Sequence, residues 1–156
     1  MTYFTIEELS KSQTARRYGI DNTPNMAIRT NLTALIEHIL DPLRKLWGMP
    51  IIVTSGYRCE KLNKVVKGAT NSQHMKGQAA DIRTVSDSRQ DNAKLLKCLL
   101  RSGLEFDQII SEFPDAQGRP DWIHVSWAGK GRNRMQKLTA VKKNGKTVYV
   151  SGINVS

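Results

Sequence analysis

Three side chains able to hold a divalent metal sit at an informative spacing. His74 and Asp81 lie in Ser72-Gln73-His74-Met75-Lys76-Gly77-Gln78-Ala79-Ala80-Asp81, and His124 closes Asp121-Trp122-Ile123-His124. Two imidazoles and a carboxylate that leave the fourth position to water are the ligand set of a hydrolytic zinc site, whereas structural zinc is usually closed by thiolates. The chain has three histidines, His38, His74 and His124, and no two stand four apart, so the paired-histidine helix of many zinc proteases is excluded. The ligands must converge from separate strands or loops. Gly77 and the Ala79-Ala80 pair let the backbone turn and approach a metal without bulky side chains intruding. His38 falls in a helical pattern and is read as an ordinary helical residue.

The elements that must position these ligands follow from periodicity and punctuation. Thr5-x-x-Glu8 is a capping box opening a short helix expected to end before Gly19. Over residues 26–47 the apolar positions Ile28, Leu32, Leu35, Ile36, Ile39, Leu40, Leu43 and Trp47 recur at three and four, with Pro42 placed to kink or divide the helix. Residues 51–54 read as a buried strand ending at Ser55-Gly56. Residues 59–73 are polar and aperiodic, predicting a loop that delivers His74. A short strand over residues 79–83 is followed by a helix over residues 88–101, with Leu95, Leu96, Leu99 and Leu100 as its stripe and Gly103 as its stop.

Strands are expected over residues 106–113 and 122–127. In the second, a period of two puts Trp122, His124 and Ser126 on one face and Ile123 and Val125 on the other. Asp121 stands three before His124, so on a regular strand it belongs to the opposite face and must lie where the chain enters the strand after Pro120. Asn144-Gly145 suits a type I′ turn and predicts a hairpin over residues 141–148. Together these elements describe an α+β fold: a mainly antiparallel sheet flanked by helices, the metal site in a cleft on the sheet, and a C-terminal β-hairpin. At 156 residues the chain suits one domain, residues 1–156, with the basic segment 129–156 as its edge.

Ser72-x-His74, Asp81 and Asp121-x-x-His124, with Thr54-Ser55-Gly56-Tyr57-Arg58 upstream, resemble the zinc D-alanyl-D-alanine carboxypeptidases, a family that includes phage L-alanyl-D-glutamate endopeptidases. The likeness runs over about residues 4–128, and its motifs are specific as a set and weak singly. It implies one Zn²⁺ per chain held by His74, Asp81 and His124, with Asp121 as the general base that takes a proton from the attacking water and returns it to the leaving amine. Arg58 matches the family's Ser-Gly-Tyr-Arg arginine, a substrate contact that can bind a carboxylate or stabilise the oxyanion. Ser72 and Gln108 are placed on the substrate side. Ser72 reads as a hydroxyl beside a ligand rather than a nucleophile, because no serine triad is indicated. Gln108 and Glu112 share a strand face, as alternation alone predicts.

The expected substrate is therefore a peptidoglycan stem peptide. A compact basic chain without an export signal favours a phage or prophage lysin cleaving L-Ala-D-Glu, and D-Ala-D-Ala carboxypeptidase activity is the alternative. Twenty-four Lys and Arg against fourteen Asp and Glu give a formal charge of +10, which suits anionic wall polymers as well. Nucleic acid is not the expected partner, although a non-catalytic zinc-containing binder of wall or nucleic acid is the rival class. The first residues lack a basic leader and apolar run, and no stretch approaches a bilayer span. The chain is thus expected to be made in the cytoplasm and to reach the wall after release by a holin or lysis. Cys59 and Cys98 do not by themselves decide compartment.

Overall fold

A computed structural model describes residues 2–155. The Thr5 hydroxyl accepts from the Glu8 backbone N–H at 3.1 Å and opens α1 (Ile6–Ser10). The single helix expected before Gly19 is in fact two, because Ser12 supplies a second N-cap, taking the Ala15 N–H at 3.1 Å at the start of α2 (Gln13–Arg17). The long amphipathic helix is also divided, into α3 (Met26–Leu35), a π turn (Ile36–Leu40) and α4 (Asp41–Trp47). The Asp41 N–H reaches back five residues to the Ile36 carbonyl. Pro42 has no N–H and its ring would strike the carbonyl of His38, so the wider turn relieves a clash that a regular helix could not.

Then come β1 (Ile51–Ser55), α5 (Glu60–Val65), a 3₁₀ turn (Gln73–Lys76), β2 (Ala79–Thr84), α6 (Arg89–Arg101), β3 (Gln108–Glu112), β4 (Trp122–Ser126), β5 (Gln136–Lys143) and β6 (Lys146–Ser151). Helix α5 corrects the expectation of a loop over residues 59–73. It is held by Leu62, which is buried, and by its N-cap, where the Cys59 thiol accepts from the Leu62 N–H at 3.5 Å. At six residues it is too short to display a hydrophobic period. Cys59 and Cys98 are free thiols.

The strands form one six-stranded sheet in the order β1-β2-β4-β3-β5-β6, antiparallel throughout except for β3 beside β5. The C-terminal hairpin thus continues the sheet instead of standing apart from it. One face carries Ala80, Ile82, Ile109, Ile123 and Val125, which pack with Leu95, Leu96 and Leu99 of α6 and with Leu35, Ile39 and Leu43 in a single core. Full burial of each such Leu or Ile is worth about 1.5–3 kcal/mol, so this face fixes the register of β2, β3 and β4. A polar clamp adds direction: the Asn92 Oδ1 accepts from the Thr84 N–H and hydroxyl, each at 2.9 Å, while its amide donates to the Asp121 carbonyl at 3.0 Å.

The same alternation turns Asp81, His124 and Glu112 to the opposite face. Asp81 pairs with His124, His124 with Ile110, and Trp122 with Glu112. A fixed core face therefore dictates which side chains meet on the other side.

A candidate metal centre on the open face of the sheet

His74, Asp81 and His124 come together, with ligand atoms all within 4.8 Å of one another. Asp81 Oδ1 stands 3.4 Å from His74 Nε2 and 3.1 Å from His124 Nδ1. Burial alone would raise the Asp81 carboxyl, but the charge of His74 and the hydrogen bonds from His124 and His74 outweigh it and hold Asp81 far below the usual carboxylate range. Asp81 and His124 are direct cross-strand partners, so strand pairing alone brings two of the three ligands together.

His74 arrives from a different direction. It sits on the 3₁₀ turn, which Ser72 caps by accepting the His74 N–H at 3.2 Å and which Gly77 ends with φ of 70°. A Cβ on Gly77 would come within 2.9 Å of Ile28 Cγ2. The imidazole is aimed by its Nδ1–H, which donates to the Gly56 carbonyl at 2.7 Å and leaves the Nε2 lone pair for the cluster. Gly56 follows a bulge between Val53 and Ser55, where β1 shifts its register against β2. A side chain on Gly56 would collide with the Leu9 carbonyl, which also accepts the Tyr57 N–H at 2.7 Å. Gln73 secures the turn further. Its amide donates to Asp107 at 2.9 Å, and Asp107 in turn holds Arg134 at 2.7 Å, tying the turn to the approach to β5.

Among the described residues, the acid that feels the charges of this cluster is Glu112. It is 7% exposed, and burial first, then the Asp81 charge, push its carboxyl up to about 7 against a smaller opposing effect of His124. Sequence alternation had already put Glu112 on this face, but gave no reason to prefer it to Gln108. The structure supplies one: Gln108 donates its side-chain amide to Gln136 at 2.7 Å, and its row pairs with the terminal residue of β5. Asp121 is exposed at the entry to β4, its N–H bonded to the Glu112 carbonyl at 2.9 Å and its own carbonyl to Asn92 of α6. It lies one residue before β4 begins, where the chain enters the strand.

Arg58 flanks the cluster. Its N–H donates to the His74 carbonyl at 3.0 Å and its Nη2 to the Ser72 hydroxyl at 3.3 Å, while its buried Nε has no protein partner. Burial lowers the Arg58 pKa, while the Asp81 and Tyr149 charges oppose that effect. Ser72 thus spends its hydroxyl on orienting His74 and Arg58.

The donor set fits a small divalent ion. Metal–ligand bonds of about 2.0–2.1 Å in a tetrahedron put neighbouring ligand atoms about 3.3 Å apart, and the two contacts of Asp81 are 3.4 and 3.1 Å. With no thiolate in the set and a buried acid and an unpartnered arginine donor close by, the arrangement is that of a metal-dependent hydrolase rather than a structural metal knot. The family model described as Peptidase M15 matches residues 2–126, and the chain belongs to that family. It is a zinc-dependent peptidase by that membership, and His74, Asp81 and His124 are the group able to hold the metal. No curated protein matches the chain. No helix among the described residues is long and apolar enough to cross a membrane.

Proposed function

We propose that this peptidase hydrolyses an amide bond in the stem peptide of bacterial peptidoglycan, with L-Ala-D-Glu as the bond cleaved. The observation that carries the reading is the meeting of three kinds of group on one sheet face: the His74, Asp81 and His124 ligands, the buried Glu112, and the unpartnered Arg58 Nε. A zinc ion held by the three ligands would supply Lewis-acid activation of water and of the scissile carbonyl. Arg58 is the only one of these groups with a free cationic donor, and it binds the substrate carboxylate that a D-Glu or terminal D-Ala residue presents. Glu112 takes the proton as water adds to the carbonyl carbon, and passes it to the amine as the C–N bond breaks. Its position on the ligands' face favours it over Asp121 in this role. Residues 1–156 work as one unit in this reading, with segment 129–156 as the sheet edge. The basic surface adds affinity for anionic wall polymers, as a lysin released by a holin or by lysis would need.

The test is mass spectrometry of purified peptidoglycan after incubation with zinc-loaded protein, beside a chelated control, Glu112→Gln and Asp121→Asn. A new D-Glu amino terminus supports the endopeptidase, and released D-Ala supports the carboxypeptidase instead. No zinc-dependent product from several wall types refutes both and favours a binding protein. A loss of turnover of about 10²–10⁴ is expected for Glu112→Gln and less than threefold for Asp121→Asn. The reverse pattern returns the base to Asp121.

A further inference from the structure

The matched family region ends at residue 126, while the hairpin of β5 and β6 lies beyond it. The strand register nevertheless carries that hairpin to the site. Trp122 pairs with Glu112, Glu112 with Ala140, and Ala140 with Tyr149, so these four residues form one row across β4, β3, β5 and β6. Directly paired residues share a face of the sheet, so Tyr149 stands on the face that carries Asp81, His124 and Glu112. Adjacent strands are about 4.8 Å apart, which puts the Glu112 and Tyr149 backbones about 10 Å apart. Ala140, small and fully buried, is the one residue between them in the row. A tyrosine and a glutamate that lean toward each other close much of that distance, and the Glu112 charge is felt at Tyr149. Tyr149 is 54% exposed, so a substrate can reach it.

We propose that Tyr149 is a catalytic residue, its hydroxyl donating a hydrogen bond to the scissile carbonyl oxygen as that oxygen gains negative charge, across Ala140 from Glu112. The inference rests on the peptidase reading above and adds a residue outside the matched family region. Water adds to the carbonyl carbon with its proton going to Glu112, and the oxygen that becomes negative is met by the Tyr149 O–H, which keeps its proton throughout. The phenol is suited to this. Burial, and then the negative charges of Glu112 and Asp81, raise its pKa against the opposing Arg58 charge, so it remains a neutral donor at working pH. Arg58 is then left for the substrate carboxylate, and the two donors divide the work between transition state and ground state.

The experiment compares wild type with Tyr149→Phe, which keeps the ring and its packing. The probes are a synthetic stem peptide carrying both the L-Ala-D-Glu and D-Ala-D-Ala bonds, and a phosphinate analogue of the bond that wild type cleaves. The expected result is a fall in kcat of about 10²–10³ with KM within about threefold. Calorimetric affinity for the phosphinate should fall about 10- to 100-fold, with zinc content unchanged. Equal kcat in the two proteins overturns the assignment of Tyr149 while leaving the peptidase reading intact. A fall in kcat accompanied by lost zinc also overturns it, since the residue would then be acting through the metal site. Absence of zinc-dependent cleavage by wild type overturns both.

Discussion

Replacing Glu112 by Gln keeps the shape of the side chain and removes its charge, and the consequence for stability can be worked out before any substrate is known. Folding shifts this carboxyl from 4.5 to about 7, chiefly by burial. At about 1.4 kcal/mol per pH unit, the difference is about 3 kcal/mol. The sign follows from which form the fold prefers. The folded protein favours protonated Glu112, so the group's contribution is complete below about pH 4.5 and is lost as the pH rises through about 7. In the metal-free protein, guanidinium unfolding with chelator at pH 5 and pH 8 should show wild type losing about 2–3 kcal/mol more than Glu112→Gln between the two conditions. Every other group of the site is common to both proteins, so the difference between the profiles isolates Glu112 and its coupling to Asp81. Loading with zinc should shrink the difference, because a cation beside the carboxyl favours its charged form. Profiles that run parallel within about 0.5 kcal/mol would refute the burial of an acid beside the ligands and, with it, the physical case for Glu112 as base.

Gly56→Ala tests the support of His74. Its new methyl must displace the Leu9 carbonyl or the Gly56 carbonyl that orients the imidazole. A destabilisation of about 2–3 kcal/mol in chemical unfolding and a 10- to 100-fold loss of zinc affinity in chelator competition are expected. Arg58→Lys keeps the charge and removes the guanidinium fork that bonds Ser72 and presents the free Nε. Steady-state kinetics on the stem peptide should show KM raised about tenfold with kcat within about threefold, and an unchanged KM would remove Arg58 from carboxylate binding.

The group able to hold a metal, His74, Asp81 and His124, was legible in the sequence because its constraints are local. The spacing from His74 to Asp81 carries a turn, a left-handed glycine and the first residues of a strand, and His124 sits on a strand whose alternation is plain in Trp122-Ile123-His124-Val125-Ser126. The sheet, the hairpin and α6 were legible for the same reason. The subdivided helices were not. Ser12 is a cap only because the chain turns at Lys11, and the π turn before Pro42 appears only where Ile36, Ile39 and Leu40 must all stay buried while the proline is accommodated. Helix α5 escaped because one buried leucine and a thiol cap leave no periodic trace.

The groups around the metal ligands were hidden for a deeper reason: they are neighbours across strands, and the strand order is not sequential. Glu112 reaches the cluster because β4 inserts between β2 and β3, and Tyr149 because β5 returns parallel to β3 before the hairpin turns back. Alternation in a single strand says which residues share a face, and it treats Gln108 and Glu112 alike. Only the register distinguishes them, by setting Glu112 in the row of Trp122, Ala140 and Tyr149 and Gln108 in the row of Ser126 and Gln136. The core face enforces that register, since a slip of one residue in β3 would exchange Ile109 and Ser111 with Ile110 and Glu112, burying the acid among the leucines of α6. Hydrophobic packing on one side of the sheet therefore selects the chemistry on the other.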